Sequence, residues 1–405
     1  MKPMTTHLYA AQLSSAAQLS SAAQAVPAGA PLAERRLPDA LRLISGEEVT
    51  AAAQWKARRA EILELFRAQV YGRAAVGRPA SLSFHVERTD ALAMGGAATL
   101  KEVSIRYAGP GGEGRIGLVL LVPNKRTRPA PAFLLICNRS ASAIDASRLQ
   151  MNEFWPAEEI VARGYAAAAF LNSDVDEDRD DGFGDGVHGL FDPRRNADEE
   201  RPADAWGTIA AWAWGASRVL DYLESDVDVD AGRVAIVGHS RGGKATLWAG
   251  AEDSRFALVV SNNSGSTGAA LARGTRGETV AAINKNFPHW FCRNYKSYSG
   301  REESMPVDQH ELIALVAPRP VYIASALEDK WADPQSEFFA GVAASPVYQL
   351  LGRFGLASGE MPEVSTPLHG GLIGYHVRPG GHDLTLYDWE RFLDFADLRM
   401  PGASR

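Results

Sequence analysis

An α/β fold, with a mostly parallel central sheet and helices on both of its faces, is predicted by three observations. Short apolar runs alternate with helix-length segments through most of the chain, the pattern of strands joined by helical crossovers in a three-layer sandwich. One such run, Arg233-Val234-Ala235-Ile236-Val237, leads directly into Gly238-His239-Ser240-Arg241-Gly242, and then into a segment from Gly243 to Gly250 spaced for a helix. A strand, a sharp Gly-x-Ser-x-Gly turn and a helix make the nucleophile elbow of the α/β-hydrolase fold. Finally, carboxylates and a loop histidine lie beyond that serine in the order the fold uses, acid before histidine.

Residues 1–35, rich in Ala, Gln and Ser with the near-repeat Ala-Ala-Gln-Leu-Ser-Ser, read as a disordered leader ahead of one catalytic domain over 36–400. The leader lacks the continuous apolar core of a secretory signal peptide. A helix is expected from Ala51 to Tyr71, where Trp55, Ile62, Leu63, Leu65 and Phe66 fall on one face. Strands follow at 81–87, 101–107, 116–122 and 132–137; the last leads into Asn138-Arg139-Ser140, where a second oxyanion-binding N–H is to be sought. A helix near 153–163 and a strand over Ala166–Leu171 come next.

Residues 172–204 are a polar insertion holding Asp174-Val175-Asp176-Glu177-Asp178. Counted from Asp174, a calcium-binding loop needs glycine where Arg179 stands, so the run reads as a solvated acidic loop near the cleft mouth. A helix over 205–223, the elbow, a strand over 256–260 and a loop-rich stretch over 262–310 complete the middle. The strand Pro320–Ala326, a short strand ending before Pro379-Gly380-Gly381, and the helix Tyr387–Phe395 close the chain.

The flanking glycines of the elbow let Ser240 take a strained conformation and present its hydroxyl, with the Arg241 N–H and the helix N-terminus facing a developing oxyanion. His382, in Pro379-Gly380-Gly381-His382, is the candidate base, because a Gly-rich loop after the last strand lets an imidazole reach the serine. His376 alternates with apolar neighbours and reads as a packed strand histidine. The acid is sought in Glu328-Asp329-Lys330-Trp331-Ala332-Asp333-Pro334. Asp329 is the first candidate and Glu328 its close rival, while Asp333 before Pro334 reads as a helix N-cap. Arg241, permanently cationic, suits an oxyanion or a carboxylate-derived group. Lys244 lies one turn further on the serine's side of the helix. Two cations at a helix N-terminus oppose the macrodipole, which argues for a ligand. Trp331 and Trp290 offer flat faces to a sugar ring, whereas Trp206, Trp212 and Trp214 read as core.

At these motifs the chain resembles the glucuronoyl esterases of carbohydrate esterase family 15, particularly bacterial members. The matching residues are Gly238 to Lys244, Asn262-Asn263-Ser264-Gly265, Gly277-Glu278-Thr279-Val280, Asn286 to Phe291, Glu328 to Pro334, Gly380 to Asp383, and the Trp-rich stretch from Ala205 to Gly215. The resemblance implies a serine carboxylesterase acting on esters of the glucuronic acid carboxyl, as in lignin–carbohydrate linkages, without a cofactor. It implies an oxyanion role for Arg241 and sugar contacts for Lys244 and Trp331. His289 and Trp290, within the matched Asn286–Phe291 stretch, join the substrate-binding candidates. Many members carry the acid where this chain has Asn263; an asparagine cannot balance an imidazolium, so the acid is expected from the later loop.

The formal charge of −7 and a pI near 5.8 argue against a nucleic-acid partner. No apolar stretch is long enough to span a membrane, and two cysteines, Cys137 and Cys292, make no disulfide framework. A monomer acting on a small-molecule or glucuronoxylan-linked ester is expected, and the family suggests a secreted or periplasmic location. The competing readings are an acetyl or feruloyl esterase on plant polysaccharide, and a non-catalytic carbohydrate-binding protein that keeps the fold.

Overall fold

The computed structural model describes residues 26–192 and 200–400. Helix α1 (Ala52–Phe66) buries Trp55, Ile62, Leu65 and Phe66 and continues as a π-helical turn over Arg67–Tyr71, completing the expected helix. Strands β1 (Ser83–Ala93), β2 (Ala98–Gly109) and β3 (Gly112–Pro123) form an antiparallel meander. β4 (Ala130–Cys137) is buried at every residue, as a central strand covered on both faces must be. Helix α2 (Ala157–Ala162) starts later than expected, with Pro156 at its N-cap, because a proline keeps the residue before it out of helical conformation.

The remaining elements are β5 (Ala166–Leu171), α3 (Gly186–Phe191), α4 (Thr208–Leu223), β6 (Val229–His239), α5 (Arg241–Glu252) and β7 (Leu258–Asn262). After them come α6 (Val280–Asn286), α7 (Gln309–Ala314), β8 (Val321–Ala326), α8 (Pro334–Leu350), β9 (Ile373–Arg378) and α9 (Leu386–Arg399). The nine strands form one sheet in the order β1-β2-β3-β5-β4-β6-β7-β8-β9. Pairing is parallel from β5 through β4 to β9, and antiparallel from β1 to β3 and between β3 and β5. The mostly parallel α/β architecture is as the sequence predicts.

Alternation along β4 divides the core. Leu134 and Ile136 pack with residues of α1, α4, α5 and α8 on one face, whereas Phe133, Leu135 and Cys137 pack with α2 and α9 on the other. Trp206, Trp212 and Trp214 are buried in the first cluster, as core residues. Because β6 to β9 run parallel, the loops after them emerge at one edge of the sheet, where ligands gather in such folds.

Residues 1–25 of the expected leader lie outside the described residues. Residues 26–35 depart from it: Gly29 N–H donates to the Gly274 carbonyl at 2.8 Å, and buried Arg35 donates to Ala30 O at 3.0 Å and Ser336 Oγ at 2.7 Å. A guanidinium with buried partners fastens this segment to the body. The insertion also departs from a solvated loop: Asp176 is buried, accepting from Thr208 Oγ1 at 2.7 Å, while its backbone carbonyl accepts from Trp212 Nε1 at 2.8 Å. Residues 193–199 of it lie outside the described residues. No helix of the described residues is long and apolar enough to cross a membrane.

Candidate active site

Ser240 stands between β6 and α5 with φ 58° and ψ −125°, a left-handed backbone that costs on the order of 1–3 kcal/mol and is kept at functional positions. Its N–H donates to Asn262 O at 2.9 Å and its carbonyl accepts from the Lys244 N–H at 3.2 Å, so strand and helix hold the turn from both ends. A Cβ on Gly238 would lie 2.3 Å from the Gly242 carbonyl oxygen, and one on Gly243 would lie 2.9 Å from the Ser264 Cβ. Side chains at those positions would open the turn.

His382 follows β9, and its Nδ1 meets Asp329 Oδ2 at 2.5 Å. The same oxygen accepts from Asn263 Nδ2 at 2.9 Å, and Oδ1 accepts from the Ala332 N–H at 3.2 Å. Burial alone would push the Asp329 carboxyl up; the bonds from His382, Asn263 and Ala332, with the His382 charge, outweigh it and hold it below the usual carboxylate range. An ionised carboxylate only accepts, so Nδ1 of His382 is the donor, and in the neutral imidazole Nε2 then carries the lone pair. Asn263 serves as a donor to the Asp329 carboxylate.

The two rival carboxylates are separated by the turn. Glu328 is exposed, with its N–H donating to Gly380 O at 3.0 Å, and its carboxylate forms no ion pair with His382, which pairs with Asp329. Asp329, buried, is the one of the two bonded to His382. Asp333 caps α8, accepting from the Ser336 N–H at 3.3 Å and the Arg276 N–H at 2.8 Å. His376 is a packed strand histidine, 2.9 Å from Asp388 and 3.0 Å from the Tyr322 hydroxyl. His239 backs the site: its ring lies 4.5 Å from that of His382, and its Nδ1 meets Asn262 Oδ1 at 2.6 Å. Burial, with the neighbouring His382, pushes the His239 pKa down to about 3.

Arg241 reaches out from the start of α5 and pairs with Asp178 of the insertion. Its guanidinium lies 5.1 Å from the Trp290 ring and 5.5 Å from that of Phe287, two rings stacked on each other at 3.7 Å. Asp178 also accepts from His289 Nε2 at 2.9 Å and Trp290 Nε1 at 2.7 Å, both through Oδ1. Burial would raise its pKa; these three partners outweigh that and hold it below the carboxylate range. Asp178 was hidden from sequence reasoning because its partners lie 63 to 112 positions away.

Lys244 is buried, donating to Ser264 O at 2.7 Å and to Ser266 O, and it lies 3.7 Å from Glu278. Burial lowers its pKa against the opposing pull of Glu278 and Glu337. Four buried polar atoms around it, Arg241 Nε, Glu278 Oε1, His289 Nδ1 and Ser266 Oγ, lack a hydrogen-bond partner. Such atoms are costly unless a ligand or water satisfies them. Trp331, 55% exposed, presents its indole at the surface of the acid loop. The cysteines are free and buried. Among the described residues no cluster of three or more His, Cys, Asp or Glu could hold a metal ion.

The family model described as "Glucuronyl esterase, fungi" matches residues 159–352. A carbohydrate esterase from an unknown prokaryotic organism is 41% identical over 400 residues, covering 91% of this chain and 90% of that protein. The chain belongs to carbohydrate esterase family 15. Within the family, a glucuronoyl esterase from Solibacter usitatus superposes with a TM-score of 0.84 at 40% identity, covering 92% of this chain and 99% of that one. A promiscuous CE15 esterase from a marine bacterial metagenome gives 0.82 at 39% identity, covering 91% and 99%. These relatives share the α/β-hydrolase fold and place the chain with the bacterial branch.

Proposed function

We propose that this family 15 esterase cleaves esters of the glucuronic acid carboxyl through an acyl-enzyme on Ser240. The observation that carries the reading is the Asp329 carboxylate bonded to His382 Nδ1 at 2.5 Å, together with a serine held at φ 58° in the turn between β6 and α5. Ser240 Oγ attacks the ester carbonyl while His382 Nε2 takes its proton. The oxyanion is met by the Arg241 N–H and guanidinium and by the N-terminus of α5. Collapse breaks the ester C–O bond, and His382 returns its proton to the departing alcohol. Water, deprotonated by the same Nε2, then releases the glucuronic acid and regenerates Ser240.

The unpartnered Glu278 Oε1, His289 Nδ1 and Ser266 Oγ supply acceptors and a hydroxyl for the hydroxyl groups of a sugar. Lys244 supplies a fixed positive charge behind them, and Trp331 an exposed aromatic face. No residue in this scheme calls for a cofactor. In the proposed reaction the ester is small or attached to glucuronoxylan, and the enzyme works as a monomer.

The test compares wild type with Ser240→Ala on a methyl ester of glucuronic acid and on acetylated xylan. Turnover of the glucuronate ester that vanishes in the variant is the expected result. Faster release of acetate from xylan, or undiminished turnover by the variant, would overturn the proposal.

A further inference from the structure

We infer that Asp178, from the insertion over residues 172–204, is a positioning residue for the oxyanion arginine and also offsets its charge against the product. This rests on the role given to Arg241 above. Arg241 has a long side chain and only a third of it is exposed. Left to itself a guanidinium on such a stem samples many rotamers, and fixing it is what turns a cation into an oxyanion donor. Asp178 fixes it from outside the elbow. One carboxylate oxygen, Oδ2, pairs with Arg241 Nη1, while the other, Oδ1, is anchored by His289 Nε2 at 2.9 Å and Trp290 Nε1 at 2.7 Å. The carboxylate is thus itself immobilised by two donors before it grips the arginine. The Trp290 ring, 5.1 Å from the guanidinium, lines the same wall.

The charge matters as much as the geometry. The substrate ester is neutral where it meets Arg241, whereas the product carries a carboxylate at that atom. An unpaired Arg241 would bind product more tightly than substrate and slow its release. Asp178 neutralises Arg241 as Glu278, 3.7 Å from Lys244, does for the lysine. Each of the two cations therefore stands against a carboxylate of its own, able to polarise a carbonyl without holding the acid it becomes.

The two oxygens of Asp178 have different partners, and this gives a selective variant. In Asp178→Asn the amide oxygen can keep the bonds from His289 and Trp290, while the amide nitrogen faces Arg241 as a donor against a donor. The wall stays in place and only the arginine is released. The experiment is a double-mutant cycle of Asp178→Asn and Arg241→Ala, with kcat, KM and inhibition by free glucuronate measured on a glucuronate methyl ester. The expected result is a fall in kcat of about 10- to 100-fold for Asp178→Asn, the scale of a misplaced oxyanion donor. KM should stay within about threefold, because binding of the neutral ester is untouched, and glucuronate should inhibit several-fold more strongly, because the released guanidinium attracts its carboxylate. Adding Asp178→Asn to Arg241→Ala should change kcat by less than about twofold, since the residues act as a unit.

A kcat loss that persists in the Arg241→Ala background would mean that Asp178 supports the fold and not the arginine. Wild-type kcat together with wild-type glucuronate inhibition in Asp178→Asn would equally overturn the inference while leaving the esterase reading intact. Failure of the esterase reading shows separately, as turnover by Ser240→Ala. Should Asp178→Asn fold poorly, Asp178→Ala in the same cycle separates the same two outcomes, because the comparison is made within the Arg241→Ala background.

Discussion

Replacing Asp329 by asparagine probes the pair on which the mechanism turns. Three donors converge on this carboxylate: His382 Nδ1 at 2.5 Å and Asn263 Nδ2 at 2.9 Å on Oδ2, and the Ala332 N–H at 3.2 Å on Oδ1. An asparagine has one acceptor oxygen. Placed at Oδ2 it satisfies two of the three donors; placed at Oδ1 it satisfies one. The first orientation wins, and it preserves the His382 tautomer while removing the charge. A carboxylate and an imidazolium about 4 Å apart at an effective dielectric near 20 attract by about 4 kcal/mol, which is a factor of about 10³ in rate. The flipped orientation would also fix the wrong tautomer and raise the loss to about 10⁴. Asp329→Asn should therefore lower kcat by about 10³ to 10⁴ on a glucuronate methyl ester at neutral pH, with the melting temperature confirming the fold. Glu328→Gln, at an exposed neighbour, should change kcat by less than about twofold. An Asp329→Asn enzyme retaining more than about a tenth of wild-type kcat, or a Glu328→Gln enzyme falling as far, would refute the assignment.

Two further expectations concern residues around the site. Glu337 is buried, accepts from the Gly265 N–H at 2.9 Å and the Ser325 hydroxyl at 2.6 Å, and has its pKa pushed up to about 8 by burial and then by Asp329 and Asp333. Between the unfolded value of about 4.3 and the folded one, only the folded state holds this proton, so its contribution to stability falls as pH rises through that window and is fully lost above it. Glu337→Gln should remove that decline, worth on the order of a few kcal/mol; melting curves at acid, neutral and alkaline pH that fall as steeply as wild type would eliminate Glu337 as its source. Trp331→Ala should raise KM several-fold with kcat and melting temperature nearly unchanged, since the indole is 55% exposed and only the backbone carbonyl takes the Glu278 N–H at 2.9 Å. An unchanged KM would remove Trp331 from the sugar site.

The strands were legible because burial of a parallel sheet writes itself as apolar runs, as in β4 and β8, which are buried throughout. The turn that carries Ser240 was legible because its flanking glycines mark where backbone strain is tolerated. The choice between Glu328 and Asp329 was not, because adjacent residues in a turn differ only in the direction their side chains leave it. Asp178 was misread with its acidic neighbours, since local composition looks the same whether a carboxylate faces water or a guanidinium from a distant helix. Nothing in the spacing of Lys244 announces that Ser264 O and Ser266 O would hold its ammonium.

The two free cysteines lie on opposite sides of the sheet, Cys137 in the cluster beneath α2 and α9 and Cys292 in the cluster with α1 and α4. Burial pushes both thiols up to about 11, so at neutral pH each is protonated and sealed from reagents. Each can be alkylated only when its own layer opens. The chain therefore carries two internal clocks: the labelling rates of the two thiols, followed peptide by peptide, time the breathing of the two layers independently and without any introduced residue.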